Sequence, residues 1–358
     1  MSTPPTSPVD VLILGAGWTS TFLIPLCRSA SVSYAATSRP AHPKPDTIPF
    51  EFDEDDESPD LAQFRRLPRA RTVLLTFPVT KKGATRRLVR AYEETHAEAL
   101  GESEGVKGRA AWIQLGTSSI WDVPSTAPPT SRPTESHSVW RDRNSPFDTA
   151  NARAAAEEEL LALPSSTRTP TTVLNLCGLW GGTRAVQNVV GRVAPTKDAL
   201  RTKVHLLAGA RVRNLRAYEK TSLHMVHGHD VARAILAVHR HFERAVGQRW
   251  LLTDLRVYDW WDLCAAWGDE NTKAEMEAHG CAAGVGEMKV DATATAGSVA
   301  TETLPRRTKG PHARWVRELM KEEGVRALPR APEQLSRALD STEFWNTFEL
   351  EPVITRLE

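Results

Sequence analysis

The stretch from Val11 to Leu26 constrains this chain most, because it joins a short apolar run, a glycine-rich turn and a helically spaced segment. Val11 to Leu14 are all apolar and lie between Asp10 and Gly15, which reads as a strand buried on both faces. Trp18, Phe22, Leu23 and Leu26 then share one face of a helix. Gly15 permits the tight strand-to-helix turn, and Gly17 lets backbone approach a pyrophosphate with no side chain between them. The helix start beyond them supplies unpaired N–H groups and a positive dipole end. Trp18 and Thr19 continue the turn, and Ser20 stands where G-x-G-x-x-G has its third glycine. The reading is a dinucleotide site, set against a plain tight turn in some other doubly wound fold.

The next residues refine it. Ser31 to Thr37 reads as a second strand ending in Ser38-Arg39. An NAD site places an acid about there for the ribose 2′-OH, whereas an arginine accommodates the 2′-phosphate of NADP. Arg39, with the hydroxyls of Thr37 and Ser38, therefore favours NADP, with NAD the alternative and a merely solvated Arg39 the competing view. Ile48 to Phe52 is a candidate third strand; the acidic run after it is a solvated loop whose first residue, Asp53, is a candidate adenine contact. Arg71 to Phe77 is a fourth strand that Pro78 ends, so Thr76, Phe77 and Pro78 are candidates to line the cofactor.

Strands and helices keep alternating. A helix is expected over 83–100, a strand over 110–115 leading into Gly116-Thr117-Ser118-Ser119-Ile120-Trp121, a loop over 123–147, and a helix from Thr149 through Leu161. A strand over 171–177 precedes the glycine-broken segment 178–184; a helix carries Val231, Ile235, Val238 and Phe242, and a strand over 249–254 precedes a short helix over 258–267. Helices are expected around 273–279, 312–323 and 333–339, with 282–303 a lid or a disordered stretch. The pattern is an α/β Rossmann-type doubly wound parallel sheet with helices on both faces and a small C-terminal substrate-side region. The expected division is a disordered lead-in 1–8, an NAD(P)-binding domain 9–255 with a substrate-side insertion at about 178–224, and a helical region 256–358.

Charge narrows the partners. Lys plus Arg number 45 against 44 Asp plus Glu, so no global basic field exists to hold nucleic acid or an anionic membrane. No window is long and apolar enough to span a bilayer. The four cysteines are scattered without a CxxC pair, which argues against zinc or a disulfide framework and fits a reducing cytoplasm. The expected partner is a small-molecule substrate, with a homodimer left open.

The segments Gly15–Ser20, Gly116–Trp121, Leu176–Gly182, Met225–Ala234 and Arg249–Asp254 resemble in sequence order the landmarks of the extended short-chain dehydrogenase/reductases, most of all their atypical, epimerase-like branch. The resemblance covers residues 9 to 267. It implies an NAD(P)-binding oxidoreductase or epimerase-like enzyme acting on a small organic carbonyl or alcohol. That chemistry uses a serine to hold the carbonyl, which Ser118 or Ser119 would supply, with Thr117 beside the cofactor. It also uses a Tyr-x-x-x-Lys pair, whose positions match Thr149 and Arg153, four apart and so on one helix face. Arg153 keeps the charge and could hold a ribose hydroxyl. A threonine hydroxyl is far too weak an acid to replace a phenol, and the only tyrosines are Tyr34, Tyr92, Tyr218 and Tyr258. Bland roles compete: Ser118 and Ser119 as loop caps, Arg153 as a surface ion pair.

His224, His227 and His229 invite a metal reading, but only Asp230 stands by as a carboxylate, so no metal is expected. His227 is a candidate substitute acid, although the resemblance makes 227–230 a structural junction. Trp121 and Trp180, with Trp260 and Trp261, are candidate pocket walls or plain core. Two further functions remain open: an NADP(H)-binding sensor or scaffold without turnover, which the missing pair favours, and a non-redox lyase or cyclase on the same fold.

Overall fold

The structure is a computed structural model that describes residues 7–96, 109–122, 140–163, 169–187, 194–202, 221–267, 311–335, 337–355 and 357. The expected helix at 273–279, the stretch 282–303, and much of the 123–147 loop and the 178–224 insertion lie outside the described residues.

The chain divides into two compact units, one of Met1–Arg184, Leu223–Val257 and Ser336–Glu358, the other of Ala185–Ser222 and Tyr258–Leu335. The first is built on a seven-stranded parallel sheet. Its strands include β1 (Val9–Leu14), β2 (Tyr34–Ser38), β3 (Ile48–Pro49), β4 (Ala70–Leu75) and β5 (Ala111–Thr117). The order across the sheet is Gln248–Leu252, Thr171–Leu176, β5, β4, β1, β2, β3. The chain therefore leaves β1 toward one edge and returns through β4 on its other side, with Ile13 level with Ala36 and Leu14 level with Leu75. Where strand order reverses in this way, the chain leaves the carboxyl ends of β1 and β4 toward opposite sides, and a crevice lies just outside those ends.

Alternate residues of each strand enter opposite cores, which is why the strands read as unbroken apolar runs. Val11 and Ile13 pack with Leu23 of α1 (Ser20–Ser29) and with Val231, Ile235 and Val238 of the helix Gly228–Arg240. Leu12 and Leu14 pack on the other face with Phe64 of α2 (Leu61–Arg65), Leu88 and Tyr92 of α3 (Ala84–His96), and Leu160 of α4 (Ala152–Leu161). Burying each such side chain stabilises the fold by roughly 2 kcal/mol.

Three expectations change. The boundary at 256 does not separate the units, because the last described segment returns to the first one. Ala338–Leu339 pairs in parallel with Trp140–Arg141, and Phe344 and Phe348 pack edge-on against Trp250. The helix expected over 333–339 is instead a single 3-10 turn, Pro332–Gln334, followed by that short strand. The helix expected from Thr149 starts at Ala152, because the Asn151 side chain accepts the Arg153 N–H and so provides the cap two residues later.

In the second unit, Arg330 grips Asp259 through Nη2 at 2.7 Å and Nε at 2.9 Å and lies 4.0 Å over the Trp261 ring. Trp260 and Trp261 are each 1% exposed and belong to this unit's core. Among the described residues no helix is long and apolar enough to cross a membrane.

Candidate functional site

The glycine turn sits at the carboxyl end of β1, at the reversal of strand order. Gly15 has φ +96°, and a Cβ there would lie 2.7 Å from Thr76 Oγ1 and 3.3 Å from Phe77. Both backbone angle and space demand glycine. Thr76 is not free to line a ligand through its hydroxyl, which donates to the carbonyls of Leu14 and Gly15. Phe77 is half-buried near Phe52, and Pro78 is exposed. Thr37 is likewise engaged, its Oγ1 accepting the Gly15 N–H at 2.9 Å.

Gly17 differs from Gly15. It is exposed, and a Cβ there would have no neighbour nearer than the Gly15 carbonyl at 4.0 Å. Its side is an open cradle. The amides of Trp18 and Thr19 find no acceptor among the described residues, while Ser20 closes the turn by donating its hydroxyl to Gly17 O at 2.8 Å. Thr19 and Ser20 are buried, so the turn offers backbone N–H groups at the head of α1, the donor set that suits a diphosphate. The residues present therefore fit a dinucleotide.

At the end of β2 the Ser38 hydroxyl shares a 2.6 Å hydrogen bond with Thr47 and accepts the Lys44 N–H at 3.2 Å. The loop after Arg39 is thereby folded back so that Lys44 Nζ donates to Ala16 O at 2.5 Å. Sequence reading missed Lys44, since nothing in its spacing announces the fold-back. Arg39 is exposed, and its guanidinium makes no hydrogen bond or ion pair among the described residues. Of these two cations, Lys44 is therefore held on the glycine turn, and Arg39 stands exposed at the end of β2. Asp53 is exposed and caps its own loop by accepting the Asp55 N–H, which gives no sign of an adenine contact.

Trp18 carries the turn to the segment after Thr171–Leu176. Its Nε1 donates to Gly181 O at 3.1 Å, Arg184 lies 4.5 Å over its ring, and Phe22, His227 and Trp180 continue the edge-to-face stack. His227 Nδ1 accepts the His229 N–H and caps the helix Gly228–Arg240, and burial pushes its pKa below the usual histidine value. A neutral, capping imidazole is a poor substitute acid. His224 is 2% exposed, accepts the Leu339 N–H through Nε2, and is held neutral by burial and by the Arg337 charge. Asp230 accepts from Arg233, Val353 and Ile354. Each member of the histidine cluster with a resolved partner thus has structural work, and among the described residues no group of three or more His, Cys, Asp or Glu could hold a metal.

At the exit of β5, Thr117 accepts the Ser119 N–H at 3.2 Å and donates to its Oγ at 3.1 Å, capping the 3-10 turn Ser118–Trp121. Ser118 is buried; its hydroxyl bonds the Cys177 thiol, whose pKa burial pushes up to about 12. Ser119 is the more accessible hydroxyl. Trp121 is 2% exposed and donates to Ser145 O, so it is core. Trp180 is also buried, with its indole N–H unpartnered among the described residues.

The pair expected on one helix face is separated. Thr149 is exposed in the turn before α4, whereas Arg153 in its first turn is drawn inward and donates from Nη2 to Leu115 O at 3.1 Å. Burial lowers its pKa, against the attraction of Glu157 and Glu54, so it is no surface ion pair. Glu157, one turn on, is fully buried; desolvation raises its pKa against the Asn175 hydrogen bond and the charges of Arg249 and Arg153. Arg249 Nε lies 3.3 Å from its Oε2 without hydrogen-bond geometry.

No protein-family model matches this sequence, and no curated protein does. Among solved structures, vestitone reductase from alfalfa (Medicago sativa L.) aligns at 13% identity over 97% of this chain and 94% of its own, with TM-score 0.51. A functionally unknown conserved protein from Silicibacter pomeroyi DSS aligns at 14% over 98% and 95%, with TM-score 0.50. A dTDP-glucose 4,6-dehydratase from Bacillus anthracis str. Ames, solved with NAD, aligns at 11% over 97% and 92%, with TM-score 0.49. At such identities the first two likenesses are ones of fold, in agreement with the parallel sheet: the chain is a Rossmann-type, doubly wound α/β protein.

Proposed function

We propose that the protein binds a nicotinamide dinucleotide, NADP(H) in preference to NAD(H), and acts as an oxidoreductase or epimerase-like enzyme of the short-chain dehydrogenase/reductase kind on a small organic carbonyl or alcohol in the cytoplasm. One observation carries the reading: the open face of Gly17 beside the unpaired amides of Trp18 and Thr19, at the reversal of strand order. The reductase fold-neighbour supports it. Arg39 and Lys44 support NADP, because a phosphate monoester near neutral pH is doubly charged and pairs well with two cations. When bound, the cofactor would supply or accept hydride; the chain would hold its diphosphate on the glycine turn and present the Thr117 and Ser119 hydroxyls beside it.

A second reading, cofactor binding without turnover, is favoured by the phenols. Tyr34 accepts from Arg28, Tyr92 donates to Pro68 O with its pKa raised by burial, Tyr258 belongs to the other unit, and Tyr218 lies outside the described residues. Titration with NADPH and NADH by tryptophan fluorescence tests the cofactor. Oxidation of NADPH over a panel of small aldehydes and ketones then separates the two readings: turnover supports the enzyme, and tight binding without turnover supports the sensor.

A further inference from the structure

Thr117 is held in an unusual way for the last residue of a strand. Its N–H donates to Glu157 Oε1 at 3.3 Å, and its carbonyl accepts from Asn175 Nδ2 at 3.1 Å. The same Asn175 amide donates to Glu157 Oε2 at 2.8 Å. Both ends of the residue are thus gripped by two buried side chains that also bond each other. Gly116 makes this possible, since a Cβ there would lie 2.5 Å from both Glu157 Oε1 and Asn175 Nδ2. One turn earlier on α4, Arg153 holds Leu115 O. The helix therefore grips β5 at both 115 and 117.

A fully buried carboxylate is costly and needs several donors around it. Glu157 and Asn175 are both 0% exposed, and an apolar pair would hold helix to sheet at lower cost. What an apolar pair could not do is orient the Thr117 peptide, and through it the hydroxyl that sets Ser119.

We infer that Glu157 and Asn175 are positioning residues that orient the Thr117–Ser119 hydroxyl turn toward the nicotinamide half of the cofactor, a role that rests on the cofactor reading above. In a doubly wound sheet the two mononucleotide halves lie on either side of the reversal, adenosine over β1 to β3 and nicotinamide over the β4 and β5 side. Disturbing the grip should then affect one half of the ligand only.

The test uses the full chain, with NADPH and adenosine 2′,5′-bisphosphate as probes. Glu157→Gln keeps the volume but removes the charge and leaves one oxygen to serve two donors, the Thr117 N–H and the Asn175 amide, so the hold on Thr117 weakens. It is expected to raise the NADPH Kd about tenfold, to leave the bisphosphate Kd within about twofold, and to speed hydrogen exchange at the Thr117 amide in the ligand-free protein. Adding Asn175→Asp restores a donor–acceptor pair between 157 and 175 and the local charge, but a carboxylate cannot donate to Thr117 O. The double variant should regain the thermal midpoint without regaining NADPH affinity. Recovery of both, equal loss on both probes, or unchanged exchange at Thr117 overturns the positioning role. A wild-type chain that binds neither probe overturns the cofactor reading and this role together, whereas wild-type binding left intact by Glu157→Gln overturns this role alone.

Discussion

The two sides of the crevice in the first unit are built on different plans. On the β1–β2 side, backbone does the work: a glycine at φ +96°, an open glycine, and two amides with no acceptor among the described residues. Threonine and serine hydroxyls there serve the turn rather than a ligand. On the β5–α4 side, buried side chains do the work, with Glu157, Asn175 and Arg153 holding the strand exit and leaving Thr149 outside. The lesson is that a site of backbone donors tolerates most side-chain change, whereas a site of buried polar side chains depends on every partner.

The comparison breaks most severely if Gly15→Ala is harmless. That substitution puts a β-carbon at positive φ, costing about 1–3 kcal/mol, and drives Thr76 off the turn. Both the thermal midpoint and NADPH binding should fall sharply, as calorimetry and titration would record.

Acid is expected to loosen the β5–α4 side next. Arg337 holds Ser118 O, and the neighbouring Leu339 N–H is accepted by a neutral His224. Burial keeps the folded pKa of His224 well below the ordinary 6.5, so below about pH 6.5 the unfolded chain takes up a proton that the fold refuses. Stability from this group is complete above that pH and declines as pH falls toward the folded value, by up to about 1.4 kcal/mol per unit. Thermal melts from pH 7.5 to 5 should show the decline, and His224→Gln should lessen it, leaving the share of His227 and His239, which burial shifts the same way.

A smaller effect sharpens the ribose end. Arg39→Ala or Lys44→Ala should each weaken NADPH about tenfold, the worth of one charge-assisted contact, while leaving NADH within about twofold. The smallest expected effect is none at all. Thr149→Tyr with Arg153→Lys should give no gain in NADPH oxidation, because position 149 is exposed ahead of α4 and does not share a helix face with 153; appearance of turnover would overturn that placement.

Much of the β1–β2 side was legible in sequence because it depends on local facts: an apolar run, two glycines and a helical stripe lie within sixteen residues, Val11 to Leu26. Lys44 was not legible, because its approach to Ala16 depends on how Ser38 and Thr47 fold the loop. Glu157 opens a run of three glutamates that reads as a solvated face; only the packing of α4 on the sheet shows that its carboxylate turns inward. The helix expected from Thr149 begins later because Asn151 caps it, while Asp148 closes the turn before it by accepting the Ala150 N–H.

The return of residues 337–355 to the first unit also bears on how the chain is made. Ala338–Leu339 completes a strand pair begun at Trp140, and Asp230 awaits the Val353 and Ile354 amides. During synthesis, therefore, the sheet emerges from the ribosome with Trp250 and its neighbours uncovered and cannot seal until nearly two hundred residues after Trp140 have followed. Such long-range closure slows folding and leaves an apolar surface open to association until the late segment has been made.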